Sequence, residues 1–386
     1  MRILIAGFPY VRKNYSDTFD FYPQKDRIFF LLPKKWKAKK GKIVFSPPKK
    51  NNVFTVNAFF YHSEYPLIGG LLKGWMPSFP LFLFRFKRKI DAVYSPSEPI
   101  LLTTLYQGFW TKTFGLKHFI FTWENIPYER KFNGINKLIK KIILKLNLFF
   151  CDGVVCGNKK AKEILEKETG KRLSIIPMSG VDVEFFNPHL ENIDKTKFDY
   201  LNNRLVFTFA GAIGRRKGIH LIIQALKDII KEISNAHFIL VGSGEYEREI
   251  SDLLDKLNLG DYVTKIPWAD REELRRILSV SDIFLYPSLP FGGWEEQFGY
   301  SMAEASLMEL PVISTFSGSI EEVVLHNKTG ILVSPDNVEE LKGAMFILAR
   351  DEDFRKRLGL AGRKYVNENF SHEVVAKRFY DFFEKI

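Results

Sequence analysis

The chain has 386 residues, of which 46% are hydrophobic, and its formal net charge is +12. A chain of this length exceeds what one hydrophobic core usually serves, so we expect two domains. The sequence has no apolar run long enough to span a bilayer and no low-complexity tract, which argues against a membrane-spanning protein and against a disordered one.

Short apolar segments alternate with helical ones through the first half of the chain. The N-terminal MRILIAGFPYVRK has too short an apolar core for a signal peptide and indicates a first buried strand. An irregular basic loop is expected after it, and helices are expected at PILLTTLYQGFW and NKKAKEILEKETG. The further expected strands are NVFTVNAFF, DAVYSPS, HFIFTWEN, GVVCGN and LSIIPM. This alternation predicts a parallel sheet with helices on both faces.

The two cysteines, Cys151 and Cys156, fall in the strand-like segment CDGVVC. Their odd separation points them to opposite faces of a sheet, so we expect no disulfide between them. No cluster of cysteines or histidines surrounds them, and a metal site is therefore not expected. Together these features indicate a cytoplasmic protein.

The strand and helix alternation resumes at Leu205. LVFTFAGAIGRRKGIHLIIQAL is typical of a strand, a glycine-rich turn and a helix, and later strands are expected in HFILVGSG, SDIFLYPS and LPVISTFSGS. The polar, proline-containing FNPHLENIDKTKFDY predicts a linker. We therefore place a first domain at residues 1–190 and a second at 200–369, both Rossmann-like, with ligands bound at the carboxyl ends of their strands.

Two acids stand eight residues apart in EEQFGYSMAEAS, with Phe298-Gly299 between them. If a helix begins near Gly299, Glu296 lies in the preceding loop and Glu304 on the first turns. Both carboxylates then point into one cleft, where the helix start offers free N–H groups to an anion. Carboxylates for sugar and ribose hydroxyls beside an anion site suit a nucleotide-sugar.

This segment resembles the Glu, seven residues, Glu signature of retaining GT-B glycosyltransferases, specifically family 4, the glycosyl transferases group 1. GAIGRRKG resembles the family's phosphate loop, and SIIPMSGVDVEFFNP its connection between domains. The resemblance implies a GT-B fold, with two Rossmann-like parallel-sheet domains facing across a cleft. It also assigns the C-terminal helix, 370–386, to the first domain.

The resemblance implies a donor site in the second domain. Gly211 to Gly218 would approach a diphosphate that Lys217 neutralises, and Arg215 or Arg216 would replace the arginine that the family carries where this chain has Ala212. Glu304 would accept the ribose hydroxyls. Glu296 would hold the sugar hydroxyls and stabilise the developing oxocarbenium ion. Phe298 and Gly299 would supply backbone N–H groups, and Trp268 would contact the base.

The first domain would complete the site with residues at its strand ends. Glu124 stands where related enzymes often have a histidine beside the sugar, and it would contact the donor sugar or the acceptor. The alternative is a carboxylate that caps the next turn before Pro127. Gly7 would bring backbone near the diphosphate, and Ser97 and Glu98 would contact the acceptor. Asp351-Glu352-Asp353 spells a metal-binding D-x-D, but these acids are expected to begin a helix instead. No metal or other cofactor is expected.

The positive charge is confined to the first domain. Residues 1–190 carry 32 Lys/Arg and 14 Asp/Glu, a balance of +18, which leaves 25 and 31, or −6, for the rest. The excess indicates an anionic partner such as a membrane. Three stretches are candidates for the contact: PKKWKAKKGK with PPKK, GWMPSFPLFLFRFKRK, and the basic amphipathic GINKLIKKIILKLNLFF. For the third we favour an ordinary helix that packs its apolar stripe on its own sheet.

These patterns predict a retaining, metal-independent glycosyltransferase that is peripheral to an anionic membrane. It would move a hexose from a UDP-sugar or GDP-mannose to a lipid-linked glycan or glycolipid. The sequence leaves open a soluble sugar acceptor and, on the same fold, a nucleotide-sugar 2-epimerase, although few acids and histidines support the latter. A nucleic-acid-binding protein is disfavoured, because the basic half lacks aromatics interleaved on a recognisable module.

Overall fold

The computed structural model describes residues 1–37, 44–61, 70–191 and 193–385. The chain divides into two compact units. We call Met1–Gly180 with His372–Ile386 the N-terminal unit and Val181–Ser371 the C-terminal unit. The boundary after Gly180 lies earlier in the chain than the predicted end at residue 190. Part of the basic loop PKKWKAKKGK, residues 38–42, falls outside the described residues.

A parallel sheet forms the centre of the N-terminal unit. Within the described residues it has seven strands in the order β5-β2-β1-β6-β7-β8-β9, and a short antiparallel pair, β3 and β4, lies apart from it. The strands are β1 Ile3–Ala6, β2 Ile28–Pro33, β3 Trp36–Lys37, β4 Val44–Phe45, β5 Val53–Val56, β6 Ala92–Ser95, β7 Lys117–Thr122, β8 Gly153–Cys156 and β9 Arg172–Ile175.

The strand β2 corrects the predicted irregular loop. IFFLLP pairs with β1 on one side, where Ile3 lies beside Ile28, and with β5 on the other, where Phe30 lies beside Val53. An unbroken apolar run without alternation is what an inner parallel strand needs, because helices cover both of its faces. The lysines that follow this run were wrongly taken to describe the whole segment.

Helices cover both faces of this sheet. Those of the N-terminal unit before the crossover are α1 Lys13–Ser16, α2 Phe79–Phe86, α3 Leu102–Thr113, α4 Tyr128–Lys131, α5 Gly134–Phe150 and α6 Lys159–Glu166. Asn158 caps α6 by accepting a hydrogen bond from the Ala161 N–H at 2.8 Å. Helix α2 was not predicted as a helix, although Pro80 near its start is a common helix-start residue.

The expected packing of α5 on its own sheet is wrong for most of its apolar stripe. Ile143, Leu144 and Leu148 are buried, and the last two join a core cluster with β7 and β8. A second set of large apolar side chains on α5 is exposed: Ile135, Leu138, Ile139, Ile142, Leu146 and Phe149. The helix therefore has two apolar faces, of which the sheet covers one.

Both cysteines are buried and free, as expected, but not for the expected reason. Cys151 ends α5 and lies outside the strand, so the alternation argument does not apply to it. Its side chain belongs to the same core cluster as that of Cys156.

The C-terminal unit repeats the plan with a second parallel sheet. In the described residues it has six strands in the order β12-β11-β10-β13-β14-β15. They are β10 Leu205–Ala210, β11 Ala236–Val241, β12 Val263–Ile266, β13 Ile283–Tyr286, β14 Val312–Thr315 and β15 Gly330–Val333. The chain order reverses between β10 and β13. That reversal is the point where open α/β sheets bind their ligands.

The helices of the C-terminal unit alternate with these strands. They are α7 Ile219–Glu232, α8 Glu247–Lys256, α9 Arg271–Ser279, α10 Tyr300–Leu307, α11 Val338–Arg350 and α12 Glu352–Phe370. Asp351 caps α12 by accepting from the Phe354 N–H at 2.8 Å, which confirms that the D-x-D acids begin a helix. The chain then returns to the N-terminal unit as α13, His372–Glu384, which buries Val375, Phe379 and Phe383 against that unit's core.

Short 3-10 turns connect several of these elements. They are Phe8–Val11, Asp17–Phe21, Lys25–Arg27, Thr196–Leu201, Arg215–Lys217, Gly260–Tyr262 and Ile320–Glu322. No helix within the described ranges is long and apolar enough to cross a membrane.

Candidate active site

The switch point of the C-terminal sheet brings the glycine-rich turn against the end of β13. Gly218 adopts φ +67°, and a Cβ there would come within 2.1 Å of the Pro287 carbonyl oxygen. Only glycine fits such a left-handed position without strain and at such close range. Gly218 therefore fixes the 3-10 turn Arg215–Lys217 against the loop that follows β13.

Lys217 lies buried in this turn, with only 5% of its surface exposed. Its ammonium donates to the carboxylate of Glu296 and to the hydroxyl oxygen of Tyr286, and it lies 4.4 Å from the centre of the Tyr286 ring. The pKa of Lys217 is lowered to about 8, mainly by burial, which the charge of Glu296 opposes and the charge of Arg216 supports. Burial also raises the pKa of Tyr286 well above its usual value.

Glu296 is held from the next strand end as well. It is 6% exposed, and the Ser288 hydroxyl lies 3.4 Å from its Oε2 atom. Its carbonyl oxygen accepts the Ser319 N–H at 2.8 Å. Gly318, at φ +59°, lets the chain pass so close that a Cβ would meet this same oxygen at 2.1 Å. The loops after β13 and β14 therefore form one packed unit around Glu296.

The two arginines of the turn differ in their surroundings. Arg215 is exposed, and its guanidinium lies 5.6 Å from the centre of the Phe291 ring. Arg216 stacks on Trp294, with 3.6 Å between its guanidinium carbon and the ring centre. Its Nη1 atom is buried and makes no hydrogen bond to any part of the chain that the structure describes. Of the two, Arg216 has a donor ready for a ligand.

Two serine hydroxyls in the loop after β14 are also buried without a hydrogen-bond partner in the described residues. They are the Oγ atoms of Ser317 and Ser319. Buried polar groups in folded proteins are nearly always hydrogen-bonded, so unpaired ones need an explanation. Ser319 lies beside Glu296, to whose carbonyl oxygen its N–H donates, and Arg216 is next to Lys217 in the chain, so these unpaired atoms belong to the surroundings of the Lys217–Glu296 pair.

The second acid of the predicted pair lies on α10. Gly299, at φ +78°, precedes this helix, so Glu296 is in the loop and Glu304 on the helix, in the arrangement that their spacing predicts. The Glu304 carboxylate is partly exposed and has no hydrogen bond or ion pair to residues that the structure describes. Desolvation raises its pKa to about 7, against the charge of Arg271. Phe298 is buried and packs its ring 5.1 Å from that of Phe370.

A cavity of about 360 Å³ opens at the carboxyl ends of β10, β11 and β12. Gly242 shapes its floor, because a Cβ at this φ +130° position would come 1.9 Å from the Gly211 carbonyl oxygen. Trp268 stands at its rim with 63% of its surface exposed. Ser301, one helical turn before Glu304, also lines the cavity, whereas Lys217 and Glu296 do not. The volume and the mainly apolar walls are those of a small-molecule site.

The switch point of the N-terminal sheet lies between β1 and β6 and carries the other predicted residues. Gly7 follows β1 in an extended conformation, and a Cβ there would meet Cγ of Pro96 at 2.9 Å. Ser97 is buried after β6. The carboxylate of Glu98 accepts the Thr122 hydroxyl at 2.6 Å and the Trp123 N–H at 2.8 Å.

The acids of this second group influence each other. Burial and then the charge of Glu124 raise the pKa of Glu98 to about 7. Glu124 itself is buried and forms an ion pair with Lys131 of α4. Lys73, which sequence reasoning did not single out, has its pKa lowered by burial while Glu98 raises it. The structure thus brings Glu98 and Glu124 together, with a cation on α4 beside them.

Several residues of the site were missed. Tyr286 ends the predicted strand SDIFLYPS, where parallel strands place ligand-contacting side chains, and that position was the available signal. Trp294 stands two residues before Glu296 in a glycine-rich loop, and nothing in the sequence indicates that it stacks on Arg216. Within the described ranges, no group of three or more His, Cys, Asp or Glu side chains is placed to hold a metal ion.

Two proteins of known structure share this fold. HepE of Anabaena, in a complex with UDP, matches with a TM-score of 0.77 at 16% identity over the whole of both chains. Sucrose-phosphate synthase of Thermosynechococcus elongatus matches with a TM-score of 0.75 at 18% identity, over 99% of this chain and 98% of its own. The predicted class of two Rossmann-like parallel-sheet domains, the GT-B fold, is confirmed.

Residues 192–365 match the family described as glycosyl transferases group 1, in agreement with the predicted resemblance. One relative, the GDP-mannose-dependent alpha-(1-6)-phosphatidylinositol monomannoside mannosyltransferase of Mycobacterium tuberculosis, is 30% identical over 53% of this chain and 54% of its own. The capsular polysaccharide biosynthesis glycosyltransferase CapM of Staphylococcus aureus is 25% identical over 63% of this chain and 64% of its own. The chain spans about half the length of the first of these relatives.

Proposed function

We propose that the chain is a retaining, metal-independent glycosyltransferase that moves a hexose from a nucleotide diphosphate-sugar to an acceptor. The observation that carries the proposal is the buried Lys217–Glu296 pair at the switch point, beside the unpaired Nη1 atom of Arg216. Two cations held beside a carboxylate suit a substrate that has an anionic leaving group and a polyhydroxylated ring.

Different groups of the C-terminal unit bind the different parts of the donor. Its base lies in the cavity against Trp268, and Glu304 accepts the ribose hydroxyls one helical turn beyond the cavity wall. Gly211, Gly218 and the backbone N–H groups of Phe298 and Gly299 approach the diphosphate and the sugar. UDP-sugars and GDP-mannose both remain donors to be tested, because one relative is named for GDP-mannose and HepE is described with UDP.

Catalysis is mainly electrostatic. Lys217 and Arg216 stabilise the negative charge that develops on the departing diphosphate. Glu296 holds the ring hydroxyls and stabilises the positive charge at the anomeric carbon. Glu124 contacts the donor sugar or the acceptor, Gly7 approaches the diphosphate, and Ser97 and Glu98 contact the acceptor. In the retaining scheme that the family resemblance implies, the leaving phosphate takes the proton of the attacking hydroxyl.

The proposed acceptor is a lipid-linked glycan or glycolipid at an anionic membrane surface in the cytoplasm. The +18 balance of residues 1–190 supports this choice, because cations near an anionic bilayer each contribute about 1 kcal/mol. The name of the mycobacterial relative, which specifies a phosphatidylinositol monomannoside, points in the same direction. A soluble sugar acceptor is the competing possibility.

The test is to incubate the protein with a panel of UDP- and GDP-sugars in excess chelator. Slow hydrolysis is measured as release of the nucleoside diphosphate. We expect the wild type to hydrolyse one donor. Glu296→Gln should hydrolyse it at least a hundredfold more slowly than the wild type. Glu295→Gln, which changes the adjacent acid, should hydrolyse it at the wild-type rate. Failure to bind or hydrolyse any donor would refute the proposal. Strict dependence on an added metal would refute its metal-independent part.

The membrane part has a separate test. Sedimentation with anionic vesicles is expected to carry the protein down, and sedimentation with neutral vesicles is expected to carry down less. Equal and negligible binding to both would favour a soluble acceptor. Tight, salt-sensitive binding to nucleic acid without donor hydrolysis would favour the non-enzymatic alternative.

A further inference from the structure

Three neighbouring helices of the N-terminal unit turn large apolar side chains to the outside. Helices α2 and α3 pack on each other, as do α3 and α5. We call the exposed set the apolar face: Leu81 and Phe84 of α2, Phe109 of α3, and Ile135, Leu138, Ile139, Ile142, Leu146 and Phe149 of α5. Ile135 and Phe149, near the two ends of α5, are 76% and 73% exposed. Contiguous exposed apolar surface of this kind marks an interaction site.

A groove of about 390 Å³ opens in this surface between α3 and α5. Leu102 and Phe109 of α3 and Leu146 and Phe150 of α5 are among its walls, and the Trp75 ring closes one side. Its remaining lining residues are Leu72, Leu105 and Tyr106, and the Tyr106 hydroxyl already donates to the Pro77 carbonyl oxygen at 2.9 Å. The groove therefore presents no free polar side chain to a ligand.

Leu146 joins the groove to the apolar face, because it lines the first and belongs to the second. A ligand in the groove would thus be continuous with whatever covers α5. Since the lining offers only hydrocarbon and aromatic surface, the matching ligand is a hydrocarbon chain.

Cations border the apolar face. Lys87 is exposed beside Phe84, with its ammonium 5.3 Å from the ring centre, and Arg85 and Arg88 are exposed next to it. On α5, Lys141 is exposed beside Ile142. Apolar side chains bordered by lysine and arginine match the boundary between acyl chains and anionic headgroups. A second copy of this chain fits poorly, because two such faces would bring their cations together.

We propose that the groove between α3 and α5 binds the hydrocarbon chain of an anionic membrane lipid while the apolar face lies on the bilayer. The site deepens the membrane part of the proposed function and rests on it. A bilayer phospholipid and a polyprenyl-linked acceptor would supply the same chain chemistry.

Trp75 makes the groove measurable, because bromine on a lipid chain quenches the emission of an indole that it touches. The full-length protein is mixed with anionic vesicles whose acyl chains carry bromine, and the absolute loss of tryptophan emission is recorded. We expect a clear loss for the wild type and a much smaller one for Trp75→Phe, since the other tryptophans lie outside the groove. Vesicle binding of this variant is measured in parallel, so that the losses of emission are compared at equal bound fractions.

A second pair of variants tests the continuity at Leu146. Leu146→Asp places a charge where groove and face meet, and we expect vesicle affinity to fall roughly tenfold or more. Leu360→Asp is the matched control, because Leu360 is an exposed leucine of the C-terminal unit, and it should bind as the wild type does. Thermal unfolding of each variant checks that it is folded. If Leu146→Asp does not fold, the comparison of Trp75→Phe with the wild type still tests the groove.

Adding a few per cent of unbrominated polyprenyl phosphate separates the two sources of the chain. Relief of quenching indicates that the groove takes the polyprenyl chain, and unchanged quenching indicates a bilayer phospholipid. Equal loss of emission in wild type and Trp75→Phe, with vesicle binding intact, would overturn the groove and leave membrane association standing. No vesicle binding at all would overturn both, while donor hydrolysis would still decide the enzymatic proposal.

Discussion

The Glu304 carboxylate offers the sharpest test of the donor site. Within the described residues it has no hydrogen bond or ion pair, and the wall of the 360 Å³ cavity begins one helical turn before it at Ser301. If it accepts both ribose hydroxyls, two hydrogen bonds to a charged group are at stake, each contributing about 1.5 kcal/mol or more. Glu304→Ala should therefore weaken binding of the nucleoside diphosphate by about 3 kcal/mol, or roughly a hundredfold.

The assay is calorimetric titration with UDP or GDP, whichever the donor panel selects, and with its 2′,3′-dideoxy analogue. If Glu304 binds the ribose, the dideoxy ligand should lose about as much affinity as the alanine variant loses, and combining the two changes should cost little more. Glu249→Ala removes an exposed acid of α8 outside the cavity and serves as the control. Fully additive losses would refute the ribose assignment, even if Glu304→Ala binds weakly.

The same carboxylate predicts a dependence on pH. Its pKa in the free protein is raised to about 7, and hydrogen bonds from hydroxyl groups favour the charged form. Affinity for the nucleoside diphosphate should be highest above this pKa and should fall as the pH drops through it. We expect it to be about tenfold lower at pH 6 than at pH 8. The Glu304→Ala variant should not show this fall in affinity at low pH. Its absence would distinguish titration of Glu304 from titration of the ligand's own phosphate.

Three further outcomes follow from the same geometry. Because burial lowers the pKa of Lys217 to about 8, nucleoside diphosphate affinity should fall as the pH rises above 8, and Lys217→Arg should abolish this fall in a titration series. Arg216→Ala should reduce donor hydrolysis at least tenfold more than Arg215→Ala, because only Arg216 has a buried unpaired donor; equal losses would contradict this. Gly318→Ala would place a Cβ 2.1 Å from a backbone oxygen at φ +59° and should lower the free energy of unfolding in urea by about 1–3 kcal/mol, whereas Gly343→Ala, in open space on α11, should not.

The local arrangement of the proposed donor residues could be predicted from sequence because these residues are close together along the chain. Gly211 to Gly218 lies within one turn, and Glu296 and Glu304 within one loop and helix, so local geometry places them. The partners of these residues could not be predicted in the same way. Tyr286 meets Lys217 only because β13 lies beside β10, a neighbour relation that no local pattern contains.

The errors in the N-terminal unit have a common cause, which is that one property of a segment was taken for all of it. The apolar run of β2 adjoins lysines and was assigned with them to a loop. The 17-residue helix α5 carries apolar residues on two faces. The prediction considered one apolar stripe and expected it to pack on the sheet. Its periodicity was correct, but periodicity cannot say which of two apolar faces is covered.

The unequal charge of the two halves now has a physical interpretation. The residues after 190 are acidic overall, at −6, so the proposed affinity for a diphosphate would come from Lys217 and Arg216 in their turn rather than from a long-range field. The +18 balance of residues 1–190 includes exposed side chains such as those of Arg85 and Lys87, and salt screens interactions between exposed charges beyond a Debye length of about 10 Å at 0.1 M. The proposed membrane attraction and the proposed donor binding would therefore depend on electrostatics of different range, and we expect a rise in ionic strength to weaken the first far more than the second.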